Sequence, residues 1–180
     1  MIHPHGYWLE VQGANTHICD QSLCDAIIEM FPVESAIDIG SGDGAYTRNL
    51  INAGIKCKGF DGNPETYKIS SGLCNVRDFS QPVRLGKFDL VLSLEVGEHI
   101  PRKYEQTFIN NLCRASQHWI CVSWGVEGQT GYGHVNCRNN DYIIKEFKKR
   151  GFKFREDLSE IIRNKSTLEW FHNTIMVFEI

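Results

Sequence analysis

The stretch Ser35-Ala-Ile-Asp-Ile-Gly-Ser-Gly-Asp-Gly44 decides the fold. Residues 35–39 read as a buried strand, with one charge, Asp38, inside it. Glycines follow at 40, 42 and 44, and a helix from Ala45 to Ala53 begins at once and stops at Gly54. Such a turn lets the backbone approach a ligand closely, and the helix N-terminus offers it free N–H groups.

The pattern continues outward in both directions. Upstream, Asp20 can cap a helix with Leu23, Ile27, Ile28 and Phe31 on one face, ended by Pro32. Downstream, Lys56 to Phe60 reads as a strand ending at Asp61, and Pro64 opens a helix that runs to about Ser71. Cys74 to Arg77 is a short strand, and Phe88 to Leu94 is the clearest one. Pro101 opens a helix with Tyr104, Phe108 and Leu112 at i, i+4 and i+8. Trp119 to Ser123 is a fifth strand, and a helix from about Asn140 ends at Gly151. Phe152 to Arg155 and Asn173 to Ile180 are the last two strands.

This alternation predicts an α/β fold: a doubly wound, seven-stranded Rossmann-like sheet, mostly parallel, with helices on both faces. Between the last two strands, Glu156 to His172 reads as containing no long helix, so an antiparallel C-terminal pair is expected. The 180 residues suit a single domain over 1–180 with a core of its own. Ligands of such sheets bind at the C-terminal ends of the strands.

Composition narrows the classes. A net charge of −3 argues against a partner held by bulk positive charge, so DNA is excluded and RNA disfavoured. The one basic cluster, Lys145, Lys148, Lys149, Arg150, Lys153 and Arg155, reads as a solvated helix face. No apolar run has the length of a membrane span. The start, Met1-Ile-His-Pro-His5, lacks the regions of a signal peptide. The seven cysteines are odd in number and form no C-x-x-C, which points to a reducing, cytoplasmic setting without a structural metal. Nothing in the sequence specifies an oligomeric state.

Asp61 falls 23 residues after Asp38, at the end of the second strand, where a carboxylate can accept from two ribose hydroxyls. Gly40, Gly42 and Ala45 also satisfy the dinucleotide pattern G-x-G-x-x-A. Three features go against that alternative. Asp38 is badly placed for a pyrophosphate but suits a cationic ligand end. Asp78-Phe79 after the third strand offers an acceptor for an adenine amino group beside an apolar face. A terminal antiparallel pair does not belong to the dinucleotide fold.

D-x-G-x-G-x-G, the acidic residue after the second strand, Asp-Phe after the third, and F-D-L-V-L-S-L-E resemble the class I methyltransferase superfamily, whose cofactor is S-adenosylmethionine (SAM). The resemblance covers nearly the whole chain. It implies Asp38, Gly40, Ser41 and Gly42 around the methionine part and Asp61 on the ribose. It implies Gly62, Asn63, Asp78 and Phe79 around the adenine, with Leu94 and Glu95 closing the pocket near the sulfonium.

A hydroxyl acceptor also needs a base, and His is the natural one near neutral pH. His99 follows the fourth strand in Glu95-Val-Gly-Glu98-His99-Ile-Pro101, and His134 follows the fifth. They are the candidate bases, with Glu98 beside them. His17 precedes the first helix and is a candidate acceptor contact. His3 and His5 read as a frayed terminus, and His118 and His172 as surface or core positions. Residues 124–139 form a glycine-rich loop that should sit at the ligand-binding edge. Trp124, Gln129, Tyr132, His134 and Asn136 in it offer aromatic faces and polar groups.

Glu-His after the fourth strand is common in the type 11 methyltransferases. E-V-G-E-H-I-P, G-Q-x-G-x-G-H-V-N and W-F-x-N-T-I-M-V-F together resemble small methyltransferases of polysaccharide and glycan synthesis, including glycan-modifying proteins of large algal viruses. That resemblance implies a sugar hydroxyl as acceptor. The alternatives are RNA, protein or another small molecule, or a SAM-binding module without turnover. No N/D-P-P-Y/F follows the fourth strand, so the usual N-methylation motif is missing. Glu95, Glu98, His99 and His134 could converge as metal ligands. Their residue types alone do not specify a site, and no metal is expected.

Overall fold

A computed structural model describes residues 1–9 and 18–180. Seven strands form one sheet: β1 (Ser35–Ile39), β2 (Lys56–Asp61), β3 (Cys74–Val76), β4 (Phe88–Ser93), β5 (Ser116–Val122), β6 (Lys153–Phe154) and β7 (Met176–Glu179). The helices are α1 (Gln21–Met30), α2 (Ala45–Asn52), α3 (Thr66–Ile69), α4 (Glu105–Ala115), α5 (Asn140–Lys148), α6 (Glu156–Lys165) and α7 (Phe171–Thr174). The strand order is β3-β2-β1-β4-β5-β7-β6. All neighbours are parallel except β7, which runs antiparallel to β5 and β6.

Alternation along each strand divides the core between the two faces. On β4, Val91 belongs to one cluster, and Leu90 and Leu92 to the other. On β7, Met176 and Phe178 join the first, and Val177 the second. The first cluster takes Phe108 and Leu112 of α4 with Ile143 and Phe147 of α5. The second takes Leu23 and Ile27 of α1, Leu50 of α2 and Ile162 of α6. Each large apolar side chain so buried stabilises the fold by roughly 1.5–3 kcal/mol.

Asp20 fixes the start of α1. Its Oδ1 accepts from Leu23 N at 3.0 Å, a helix cap. Its Oδ2 accepts from Ser166 Oγ (2.6 Å), Thr167 N (2.7 Å) and Leu168 N (3.2 Å), tying α1 to the segment after α6.

The C-terminal third departs from the expectation. The ten-residue α6 occupies part of the stretch expected to hold no long helix. Glu156 and Asp157 in its first turn and Arg163 and Lys165 in its last complement its dipole. The sixth strand keeps only Lys153 and Phe154. The first residues of the expected seventh strand form α7 instead. The expected antiparallel pairing of the last two strands is present, but β7 lies inside the sheet and β6 at its edge.

Candidate active site

Between β2 and β4, the C-terminal end of β1 opens a cavity of about 380 Å³. A pocket of this size, at the point where the strand order reverses, is where open α/β sheets bind ligands.

The glycine loop forms its floor. Gly40 and Gly42 take φ of 83° and 53°, the left-handed region that favours glycine. Gly40 N and Ser41 N donate to Phe60 O, which holds the loop against β2. Asp61, at the end of β2, accepts from Gly42 N (3.0 Å) and Asn63 N (2.8 Å). Its carboxylate is thereby aimed by two backbone donors and keeps lone pairs for a ligand. Asp38 is buried and accepts from Thr47 Oγ1 at 2.6 Å. Burial pushes its carboxyl up to about 7; the Thr47 hydrogen bond opposes this and the Asp61 charge adds to it. Ser41 Oγ is buried with no partner among the described residues.

At the far end, Phe79 packs against Phe60, and Asp78 accepts from Ser80 N at 2.9 Å. The other oxygen of Asp78 lies 2.6 Å from His5 Nδ1. Burial raises the Asp78 carboxyl, but the hydrogen bonds from Ser80 and His5 outweigh it and hold it below the usual range. The start of the chain is therefore docked here and not frayed. His3 stacks on Tyr7 with ring centroids 4.3 Å apart, and a Cβ on Gly62 would lie 2.5 Å from the Tyr7 ring.

The opposite end is built from residues 95–99 and the loop 124–139. Glu95 has φ of 53°, a strained setting for a non-glycine residue. Its N–H donates to Ser123 Oγ, and its carboxylate accepts from Gln129 Nε2 (3.2 Å) and Thr174 Oγ1 (3.4 Å). Glu98 is fully buried, and neither of its carboxylate oxygens has a hydrogen-bond partner among the described residues. Burial, with the Glu95 charge beside it, pushes the Glu98 carboxyl well up. The Glu98 carbonyl accepts from Val135 N and Asn136 N, both at 2.9 Å, and so pins the loop over residues 95–99.

That clamp brings His134 to His99. The ring nitrogens Nδ1 of His99 and His134 lie 3.2 Å from Gly133 O and 3.3 Å from Gln129 O. Burial, and then the neighbouring His134, depress His99 to about 4. Glu98, His99 and His134 each offer a ligand atom, all within 4.8 Å of one another. Together the three could hold a metal ion.

Of the expected cofactor residues, Asp38, Gly40, Ser41, Gly42, Asp61, Gly62, Asn63, Asp78, Phe79, Leu94 and Glu95 all line the cavity. So do His99, His134 and Tyr132, and Gln129 reaches the site through Glu95. Trp124 and Asn136 do not face it. Trp124 is fully buried, donates from Nε1 to Asn136 O at 2.7 Å, and lies against Gly97, where a Cβ would come within 2.2 Å of the indole. Asn136 is equally buried. Both hold the loop and offer no surface to an acceptor. His17 lies outside the described residues.

The sequence reading missed the parts of the wall supplied by Tyr7, Trp8, Tyr46 and Trp170. Tyr46 directly follows the glycine loop, a position that was legible. The other three come from segments whose docking depends on distant partners. Half of the basic cluster is already paired: Lys149 and Arg150 with Glu146, and Arg155 with Asp157 and Glu179. All seven cysteines are free thiols, and no helix among the described residues is long and apolar enough to cross a membrane.

Comparison with known proteins agrees with this geometry. Residues 37–117 match the type 11 family described as "Methyltransferase domain". Tocopherol O-methyltransferase of Arabidopsis thaliana is 31% identical over 108 residues, which are 51% of this chain and 30% of that one. Norajmaline N-methyltransferase of Rauvolfia serpentina is 29% identical over 121 residues, 58% of this chain and 41% of that one. The chain thus spans less than half the length of either relative. Magnesium protoporphyrin IX methyltransferase of Synechocystis PCC 6803, solved with bound S-adenosylhomocysteine (SAH), superposes with a TM-score of 0.65. It is 17% identical, and the alignment covers 88% of this chain and 82% of that one. The likeness establishes the fold, which is the Rossmann-like fold of SAM-dependent methyltransferases.

Proposed function

We propose that the chain is a SAM-dependent methyltransferase that transfers a methyl group from SAM to a hydroxyl of a sugar or glycan acceptor, with His134 as the base. The observation that carries this reading is the cavity itself, with the glycine loop and Asp61 at one end and the His99–His134 pair at the other.

The residues present fit the cofactor. Gly40 and Gly42 supply the left-handed turn, with Val96 packed against Gly40, and the unpartnered Ser41 Oγ is a hydrogen-bonding group in want of a ligand. Asp38 suits an ammonium group, Asp61 a pair of ribose hydroxyls, and Gly62, Asn63, Asp78 and Phe79 an adenine. When bound, SAM supplies a methyl carbon made electrophilic by its sulfonium. The cavity wall does the rest. Leu94 and Glu95 close it near the sulfonium, and residues 95–99 align the acceptor, an effect worth up to about 7–11 kcal/mol.

His134 is preferred to His99 as base. A group depressed to about 4 is a poor proton acceptor for a hydroxyl, and His99 is so depressed. Tyr132 (57% exposed) and Trp170 (38% exposed) stand at the cavity wall, where aromatic faces suit sugar rings. A second reading is a hydroxyl on another small molecule. The Arabidopsis relative, whose name gives tocopherol as its acceptor, favours it.

The test is calorimetric titration of SAH followed by methyl transfer from labelled SAM to a panel of free sugars, glycans and phenols. His134→Ala is expected to bind SAH like the wild type and to lose roughly 10²–10⁴-fold in turnover. Undiminished turnover in both His134→Ala and His99→Ala would sink the base assignment. Transfer to phenols but to no sugar would decide for the second reading.

A further inference from the structure

We propose that Glu98, His99 and His134 form a site for one divalent first-row metal ion, placed so that the ion takes the acceptor hydroxyl as a further ligand. The role, though not the site, rests on the methyl-transfer reading above, and the proposal reverses the expectation of no metal.

Three independent observations meet here. The first is convergence: the three ligand atoms lie within 4.8 Å of one another. Metal–ligand bonds of about 2.1 Å put opposite ligands about 4.2 Å apart and neighbouring ones about 3–3.4 Å apart, so the trio is within reach of one ion once the side chains close further around it.

The second is the state of Glu98. It is fully buried, and both carboxylate oxygens lack a hydrogen-bond partner among the described residues. Buried polar side chains are almost always partnered, because leaving one unpaired costs about 1–3 kcal/mol. A cation beside it satisfies both oxygens at once. The carboxyl of Glu95, already engaged by Gln129 and Thr174, lies beside it.

The third is the setting of the two imidazoles. A carbonyl oxygen only accepts, so the contacts of Nδ1 with Gly133 O and Gln129 O put the hydrogen on Nδ1 in both rings. Each Nε2 is then left with its lone pair. A ring nitrogen donating to a backbone carbonyl while the other binds metal is the usual support of a histidine ligand.

Two imidazoles and a carboxylate favour Mn²⁺, Fe²⁺, Co²⁺ or Zn²⁺ over Mg²⁺ or Ca²⁺, which prefer oxygen alone. Three protein ligands leave positions open, and His99 and His134 line the cavity. A hydroxyl bound there becomes more acidic. Its proton passes to solvent, its oxygen pair forms the new O–C bond, and the C–S bond breaks with its electrons on sulfur. The ion is neither oxidised nor reduced. With the ion in place His134 is a ligand and no longer the proton acceptor.

The experiment titrates Mn²⁺, and separately Mg²⁺, into the metal-stripped full chain with and without SAH. Calorimetry gives affinity, and electron paramagnetic resonance counts bound Mn²⁺. One Mn²⁺ per chain is expected, bound at least about tenfold more tightly than Mg²⁺. Glu98→Gln and His134→Gln should each weaken Mn²⁺ by about tenfold or more while SAH affinity stays within twofold. His134 is only partly buried, so its variant carries the test if Glu98→Gln fails to fold. A wild type that binds SAH but not Mn²⁺, or variants that bind Mn²⁺ undiminished, would overturn the site. Mn²⁺ binding without SAH binding would leave the site standing and remove the methyl-transfer reading.

Discussion

The imidazole of His134 stands edge-on to that of His99, with ring centroids 5.0 Å apart and planes at 84°. The clearance around this pair is small: a Cβ on Gly131 would lie 2.2 Å from His134 Nε2. Gly131→Ala should therefore push the ring aside at little cost in stability, since the residue is exposed. Turnover is expected to fall by about 10²-fold, as for an ångström of misplacement, with SAH affinity unchanged. Steady-state kinetics beside calorimetry checks this. Wild-type turnover in the variant would remove His134 from the reacting atoms.

Asp38, if it meets the cofactor's ammonium as proposed, should give cofactor binding a pH dependence. With its carboxyl pushed up to about 7, Asp38 is mostly ionised at about pH 8 and mostly protonated at about pH 6. Affinity for SAH, whose ammonium needs the charge, should fall over that interval, by about tenfold. The same shift acts oppositely on the free chain. Between the unfolded value near 4 and about 7 the folded state holds the extra proton, so stability declines as pH rises through that window. Asp38→Asn should flatten both profiles, measured by calorimetry and by chemical denaturation.

The docked N-terminal segment should contribute to cofactor affinity. His5 holds Asp78 at 2.6 Å, and Tyr7 covers Gly62. Tyr7→Ala is expected to weaken SAH by about five- to tenfold, roughly 1–1.4 kcal/mol, without lowering the melting temperature by more than a few degrees. An unchanged affinity would mean that the segment covers the pocket without touching its occupant.

Asp20 is a stability residue. Asp20→Ala removes the cap of α1 and strands the donor of Thr167, a loss of about 2–4 kcal/mol by denaturant titration. Burial raises the Asp20 carboxyl, but its hydrogen bonds from Ser166, Leu23, Thr167 and Leu168 outweigh this and hold it below the usual range. Its contribution is therefore present above the unfolded value near 4 and lost as pH falls below it. Wild type and variant should converge in stability under acid conditions.

The glycine loop, Asp61 and β4 were legible because their chemistry is local. Glycines at positive φ directly after a strand need no distant partner to be recognised. Glu98 and His99 were legible for the same reason, lying five and six residues past β4 on one short turn. Trp124 was misread because an aromatic residue beside glycines looks exposed. What buries it is Gly97, 27 positions away, and a hydrogen bond to Asn136. His5 was misread because its partner, Asp78, is 73 positions away. The helix α6 was overlooked because Arg155, which precedes it, gives no side-chain cap, although the charges at its two ends mark it.

The insertion of β7 between β5 and β6 sets an order of assembly. The two residues of β6 pair only with β7, so β6 has no place in the sheet until β7 has arrived. β7 must in turn find β5 across more than fifty intervening residues, a contact whose loop-closure entropy comes due before any pairing rewards it. The parallel strands β1, β2 and β4 can associate earlier, leaving the exposed side of β5 as a transient template for other chains. During refolding at high concentration, β5 is therefore where intermolecular pairing should begin, and the arrival of β7 is what ends that hazard.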